Sequence, residues 1–159
     1  MIRKKILLLG DFSVGKTSLV KRYVDGTFDD RYLTTIGVKI SKKLLKTNGV
    51  DFELIIWDVE GATPNKKIPL EYYRGASGAI LVADATRKET LENLQELKDI
   101  FLTANPNAKF VTAHNKVDLL SEIAVECLHL EEGDGFLTSA KDDKNVEELF
   151  AALAKEILT

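Results

Sequence analysis

The chain has a single cysteine, Cys127, among 159 residues, so no disulfide can close within it and a reducing, cytosolic compartment is expected. That lone thiol reads as a small buried apolar group inside a helix. Long hydrophobic runs are missing too: none approaches the ~18 residues of a membrane span. Met1-Ile-Arg-Lys-Lys leads directly into a strand-like run, so no signal peptide is expected. Ile2 stands where myristoylation needs glycine, and the closing Ile-Leu-Thr offers no cysteine for prenylation. No direct lipid anchor is therefore expected, and any peripheral membrane association should come through partners or a tail outside this chain. Neither sign of charge dominates, with a net charge of -3, which argues against nucleic acid as the main partner. Internal repeats and low-complexity tracts are also lacking.

What is present suits an ordinary globular protein, 45% hydrophobic and 30% charged. The length predicts one domain over residues 1–159 that buries about two-thirds of its unfolded surface. Strand-like and helix-like patterns alternate. Ile6 to Leu9 is a short apolar run, followed by a helical face of Val14, Leu19, Val20, Tyr23 and Val24. Val38 to Trp57 holds two extended runs joined by Asn48-Gly49, the strongest short hairpin signal. GAILVADA reads as a buried strand and Lys88 to about Leu102 as a helix stopped near Asn105-Pro106. KFVTAHN and GFLTSA are the remaining strands. A short helix lies between them, ending at Gly133, and a final helix carries Val146, Leu149, Phe150, Leu153 and Ile157. Six mostly parallel strands with one antiparallel edge hairpin and about five helices make an α/β fold with helices on both faces. Ligands then belong beyond the carboxyl ends of the strands, in the loops after Leu9, Trp57, Ala113 and Leu137.

Gly10 to Thr17, GDFSVGKT, fits G-x-x-x-x-G-K-[ST] between a strand and a helix. Backbone N–H groups across Asp11, Phe12, Ser13, Val14 and Gly15, continuing to Ser18, can converge on phosphate oxygens. Lys16 would neutralise β- and γ-phosphate charge, and Thr17 would ligate magnesium. Asp58 ends a strand and is placed to reach that metal through water. Asn115-Lys116-Val117-Asp118 follows another strand. A carboxylate at Asp118 can accept the ring N–H and the exocyclic amine of guanine, a pairing adenine cannot offer.

Together YLTTIGV, WDVEG, EYYRGA, HNKVDL and TSAK resemble the Ras superfamily of small GTPases, and their spacing is most similar to the Rab branch. The resemblance covers essentially the whole chain. It implies the P-loop GTPase (Ras-like) fold, GTP and GDP as ligands, and Mg²⁺ as the metal. It further implies that Thr35 binds magnesium and the γ-phosphate in the GTP state, that Phe28 lies against the base, and that Tyr32 closes over the phosphates. Gly61 would donate its N–H to the γ-phosphate, so that Lys16, Thr35 and Gly61 form the catalytic set. Ser139-Ala140-Lys141 would complete the base site, with the Ala140 N–H on the guanine carbonyl. Residues 29–38 and 60–73 become two switches through which effector, exchange and GTPase-activating proteins would act. Ile40, Trp57 and Tyr72 fall where Rab-like proteins present an apolar effector patch, although Ile40 replaces the usual phenylalanine.

The departures cluster at the γ-phosphate. Ala62 stands where family members carry a water-orienting glutamine. Phe12 replaces a small residue, Glu60 an alanine, and Thr63 and Pro64 the usual acidic and basic pair. This pattern predicts a GTP/GDP molecular switch with slow Mg-dependent hydrolysis, in which a partner supplies the missing group or Glu60 positions water. The alternative is a GTP-binding interaction module with negligible hydrolysis. A P-loop kinase or ATPase is disfavoured by NKVD and TSAK. His114 reads as a structural strand-end residue and His129 as solvent-facing. Lys42-Lys43 and Lys66-Lys67 read as solvated surface. The stretch from Asp118 to Ser139 is shorter than in most Rab-like proteins, so its helix should be short.

Overall fold

The fold was analysed in a computed structural model that describes residues 1–29, 37–61, 67–132 and 135–159, with only the helical backbone described at 129–132. A six-stranded sheet runs in the order β2-β3-β1-β4-β5-β6. Its strands are β1 (Ile2–Leu9), β2 (Val38–Thr47), β3 (Val50–Val59), β4 (Ala76–Asp84), β5 (Lys109–Asn115) and β6 (Phe136–Leu137). The helices are α1 (Lys16–Asp25), α2 (Lys88–Glu92), α3 (Leu94–Ala104), α4 (Glu122–Glu132) and α5 (Val146–Ile157). Among the described strands only β2 and β3 pair antiparallel, and every other neighbouring pair is parallel.

Alternation along the central strands builds two cores from one sheet. Ile6 and Leu8 of β1 point to the side where α1 and α5 contribute Leu19, Val20, Leu149, Phe150 and Leu153. Leu7 and Leu9 point to the other side, onto Leu94, Leu97 and Phe101 of α3. Parallel strands covered on both faces read as continuous apolar runs, which is why LLLG and GAILVA lack polar alternation. Tyr23 of α1 stacks on Phe150 of α5 with ring centroids 3.9 Å apart and planes within 4°, fixing the two helices side by side.

The hairpin turns where the sequence places it. Asn48 and Gly49 have φ of 53° and 78°, the two left-handed residues that a type I′ turn requires. Three elements differ from expectation. β1 begins at Ile2 instead of Ile6, because Lys4 and Lys5 pair with β3 at Leu54 and Ile55. The helix expected from Lys88 to Leu102 is divided at Asn93 into α2 and α3. The last strand is confined to Phe136 and Leu137; beyond it Thr138 bonds through its backbone to His114 and Val117 and through its hydroxyl to Asn115. Cys127 is exposed, not buried. Its helix buries no side chain fully over residues 122–128, so the thiol has no core to enter.

Candidate functional site

Because β1, β3, β4, β5 and β6 run parallel, their carboxyl ends share one edge. Lys16, Asp58, Asp84, Asn115, Thr138 and Ser139 are all buried there. Buried polar groups are costly unless bonded to one another or to a ligand, so their concentration marks this edge as the site.

The first turn of α1 carries Lys16, Thr17 and Ser18 and is entered through Gly15 at φ 100°. A Cβ at Gly15 would collide with the amide of Asn115. The Lys16 ammonium folds back over the loop, donating to the carbonyls of Gly10 at 3.1 Å and Asp11 at 3.0 Å. Burial pushes its pKa down to about 8, while the Asp58 and Asp11 carboxylates act to raise it and the Arg87 guanidinium to lower it further. A bound anion would raise it again. Thr17 Oγ1 donates to Asp58 Oδ2 at 2.7 Å, bringing together two of the three expected metal ligands. One hydroxyl and one carboxylate suit magnesium, which takes its remaining oxygens from phosphate and water.

Gly61 is buried against the loop: a Cβ there would lie 2.5 Å from the Phe12 nitrogen. Only glycine lets the two backbones approach this closely. Phe12 itself is exposed. Glu60 is turned onto Gly37, accepting from its N–H at 3.0 Å and donating to its carbonyl at 2.8 Å. That exchange ties the start of β2 to the end of β3.

The base loop is assembled by Ser139, whose hydroxyl donates to Asp118 Oδ1 at 2.8 Å and accepts from the Asp142 N–H at 2.9 Å. Thr138 Oγ1 donates to Asn115 Oδ1 at 3.0 Å, and the Asn115 amide donates to the Val14 carbonyl at 3.0 Å. Lys116, at φ 68°, reaches the Ser13 carbonyl at 2.7 Å. Asn115 and Lys116 therefore join the base loop to the phosphate loop. Ala140 is buried and Lys141 exposed. Phe28 is half-buried and packs against the α1–α5 core. Tyr32, Thr35, Ala62, Thr63, Pro64 and Lys66 lie outside the described residues, as does the side chain of His129.

Other expected features are also in place. His114 is buried at the end of β5, where Gly135 packs on its ring, and this matches the structural reading. Ile40 lies opposite Trp57 across the hairpin. Trp57 meets Tyr72 edge-on at 6.1 Å, with the Lys5 ammonium 3.7 Å over the Trp57 ring.

Two supports are invisible to motif reading. Arg22 of α1 donates from Nε to the Ala140 carbonyl at 2.8 Å and from Nη2 to the Lys141 carbonyl at 2.9 Å, holding the TSAK turn. Asp84 ends β4 and binds Lys116 at 3.3 Å and Arg87 at 3.1 Å. Burial acts to raise its pKa, but bonds from the Thr86 hydroxyl and N–H, the Lys116 charge and Arg87 outweigh it and hold the carboxyl below its usual value. An acid closing the apolar run GAILVAD was the one available signal.

Sheet order, helix-entry loop and hydroxyl–carboxylate pair together are those of a P-loop nucleotide-binding protein. The model of the Ras family matches residues 5–159. The Ras-related protein SEC4 of Saccharomyces cerevisiae is 39% identical, over 96% of this chain and 74% of that protein. The Ras-related protein Rab-13 of Canis lupus familiaris is 37% identical, over 97% of this chain and 79% of its own length. The Ras-related protein Rab-1 of Theileria annulata is likewise 37% identical, over 96% and 73%. The chain belongs to the Ras family and is a Rab-like small GTPase, a GTP-binding switch protein with the Ras-like P-loop fold.

Proposed function

We propose that the 159 residues act as one GTP-binding domain that hydrolyses GTP slowly and spends long periods in its triphosphate state. The observation that carries the nucleotide reading is the Thr17–Asp58 bond of 2.7 Å at the mouth of the phosphate loop. It joins residues from two motifs at the place where a phosphate-bound magnesium needs two hard oxygens. Magnesium, when bound, would neutralise charge developing on the transferred phosphoryl group.

The chain's own groups supply the rest. Lys16 offers an ammonium to the terminal phosphates, and Gly61 a backbone N–H. Asp118, oriented by Ser139, accepts from guanine. Thr35 is proposed to add a ligand in the GTP state, with Phe28, Tyr32, Ala140 and Lys141 closing around the base and phosphates. Asp11, Phe12, Ser13, Val14, Gly15 and Ser18 form the surrounding cradle. Slow turnover is supported by Ala62, which cannot orient water, and by Glu60, whose carboxylate is engaged with Gly37 at 3.0 Å. A partner's arginine and water-orienting group can raise such a rate by ~10³ to 10⁵. The paired Trp57 and Tyr72, with Ile40 beside them, supply an apolar face for effectors. Among the described residues no helix is long and apolar enough to cross a membrane, and we place the protein in the cytosol with peripheral membrane attachment through partners or a longer tail.

The test is displacement of bound GDP by GTP and by ATP, followed by single-turnover phosphate release with magnesium. GTP should compete and ATP should not, and release should be no faster than for a typical unaided family member. Lys16→Ala should abolish binding. Retained GDP affinity in that variant would refute the site. Undetectable release with intact binding would select the alternative, a GTP-binding interaction module.

A further inference from the structure

The outer side of the phosphate loop is held at four consecutive residues. Asn93 Nδ2 donates to Asp11 Oδ2 at 2.7 Å. Arg87 Nη2 donates to the Phe12 carbonyl at 2.9 Å. Lys116 takes the Ser13 carbonyl at 2.7 Å and Asn115 the Val14 carbonyl at 3.0 Å. Two of these four share an anchor, because Arg87 Nε and Lys116 Nζ both contact Asp84 Oδ2, at 3.1 and 3.3 Å. Asp84 is only 4% exposed, so the anchor is fixed in the sheet.

Peptide planarity turns this outer bracing into an inner consequence. The described peptide bonds are trans, and in a trans peptide the C=O and the following N–H point in opposite directions. With the carbonyls of Phe12, Ser13 and Val14 drawn outward, the N–H groups of Ser13, Val14 and Gly15 face the concave side. Such successive N–H groups form an anion-binding nest. Asn115 and Lys116 orient the two donors nearer α1, and Arg87 orients the one farthest from it. That far end is where Gly61 presses on the Phe12 backbone.

We infer that Arg87, anchored by Asp84, is a positioning residue for the terminal phosphate. By holding the Phe12 carbonyl outward it aims the Ser13 N–H at the end of a nucleoside triphosphate, and so sets the preference for triphosphate over diphosphate. The inference rests on the guanine-nucleotide reading and deepens it. Neither the phosphate-loop pattern nor the base motif contains Arg87, and its bond to the loop is made to one backbone carbonyl.

The test compares affinities for GDP and for GTPγS, measured calorimetrically on nucleotide-stripped wild type, Arg87→Ala and Arg87→Lys, with thermal melts as a check on folding. Losing an aligned donor to a charged oxygen costs about a factor of ten. Arg87→Ala should weaken GTPγS by about that factor and GDP by less than about threefold. Arg87→Lys retains a cation that can reach the carbonyl and should recover most of the loss. If Arg87→Ala does not fold, Arg87→Gln makes the same comparison. Equal losses for both nucleotides, or no loss for either, overturn the inference while leaving the nucleotide site standing. Wild-type protein that binds neither nucleotide overturns both.

Discussion

The hydroxyl of Ser139 donates to the carboxylate of Asp118 at 2.8 Å, across 21 residues of sequence. The bond fixes the base-reading group before any base arrives. An oriented carboxylate loses less freedom on binding, and a mismatched base leaves it without its donors. Ser139→Ala is therefore expected to weaken GDP binding by about 1 to 2 kcal/mol, roughly five- to thirtyfold. Asp118→Ala should also narrow the gap between GDP and ADP. Calorimetric titration of both variants with both nucleotides measures each effect, and an unchanged GDP affinity in Asp118→Ala would contradict the base assignment.

Thr17 and Asp58 form a pair whose use as metal ligands can be tested separately from folding. In wild type, GDP should bind more tightly with magnesium than with excess chelator. Thr17→Ala should bring these two affinities together to within about threefold while leaving chelated binding almost unchanged, because the phosphate-facing N–H groups remain. A magnesium effect of wild-type size in the variant would place the ion elsewhere.

Hydrolysis should respond to residue 62. Ala62→Gln restores a side chain able to orient water and is expected to raise single-turnover phosphate release several-fold, with GTP affinity unchanged. The measurement is phosphate release from preloaded protein after magnesium addition. No gain, together with a wild-type rate well above that of an unaided family member, would show that another group performs this task.

Acid should loosen the brace under the phosphate loop through Asp84. The folded-state pKa of Asp84 is depressed, below the unfolded value of about 3.9. Its stabilisation is therefore fully present above that unfolded value and is lost as pH falls through the folded one. Denaturant melts between about pH 5 and pH 2 should show wild type losing more stability than Asp84→Asn, which has no such group to protonate. Parallel acid profiles for the two proteins would mean that the bonds Asp84 accepts from Thr86, with those to Lys116 and Arg87, add nothing to the folded state.

Much of the site was legible because its chemistry is local in sequence. A glycine-rich turn ahead of a helix is written in one short segment, so Gly10 to Thr17 could be read as a phosphate loop without knowing what braces it. Asn48-Gly49 likewise fixed the hairpin, since both residues adopt the left-handed backbone that the turn demands. Trp57 and Tyr72 were grouped only by the family resemblance, and the structure sets their rings edge-on with centroids 6.1 Å apart. Cys127 was misread because burial statistics describe an average helix. α4 instead buries no side chain fully over residues 122–128 and leaves the thiol in solvent.

The sequence by itself determined the fold class and pointed to the phosphate loop and to the carboxylates proposed for metal and base, because each is written in short patterns whose backbone geometry follows from residue type. Only the tertiary structure decided what holds those loops in register. Asp84, Arg87, Asn93 and Arg22 belong to no motif, and the bonds of Arg87, Asn93 and Arg22 to the phosphate and base loops span between 75 and 119 residues. Such bonds exist because parallel strands deliver distant chain ends to one edge of the sheet. There a buried carboxylate must find cations, and the carbonyls behind a phosphate cradle must find donors.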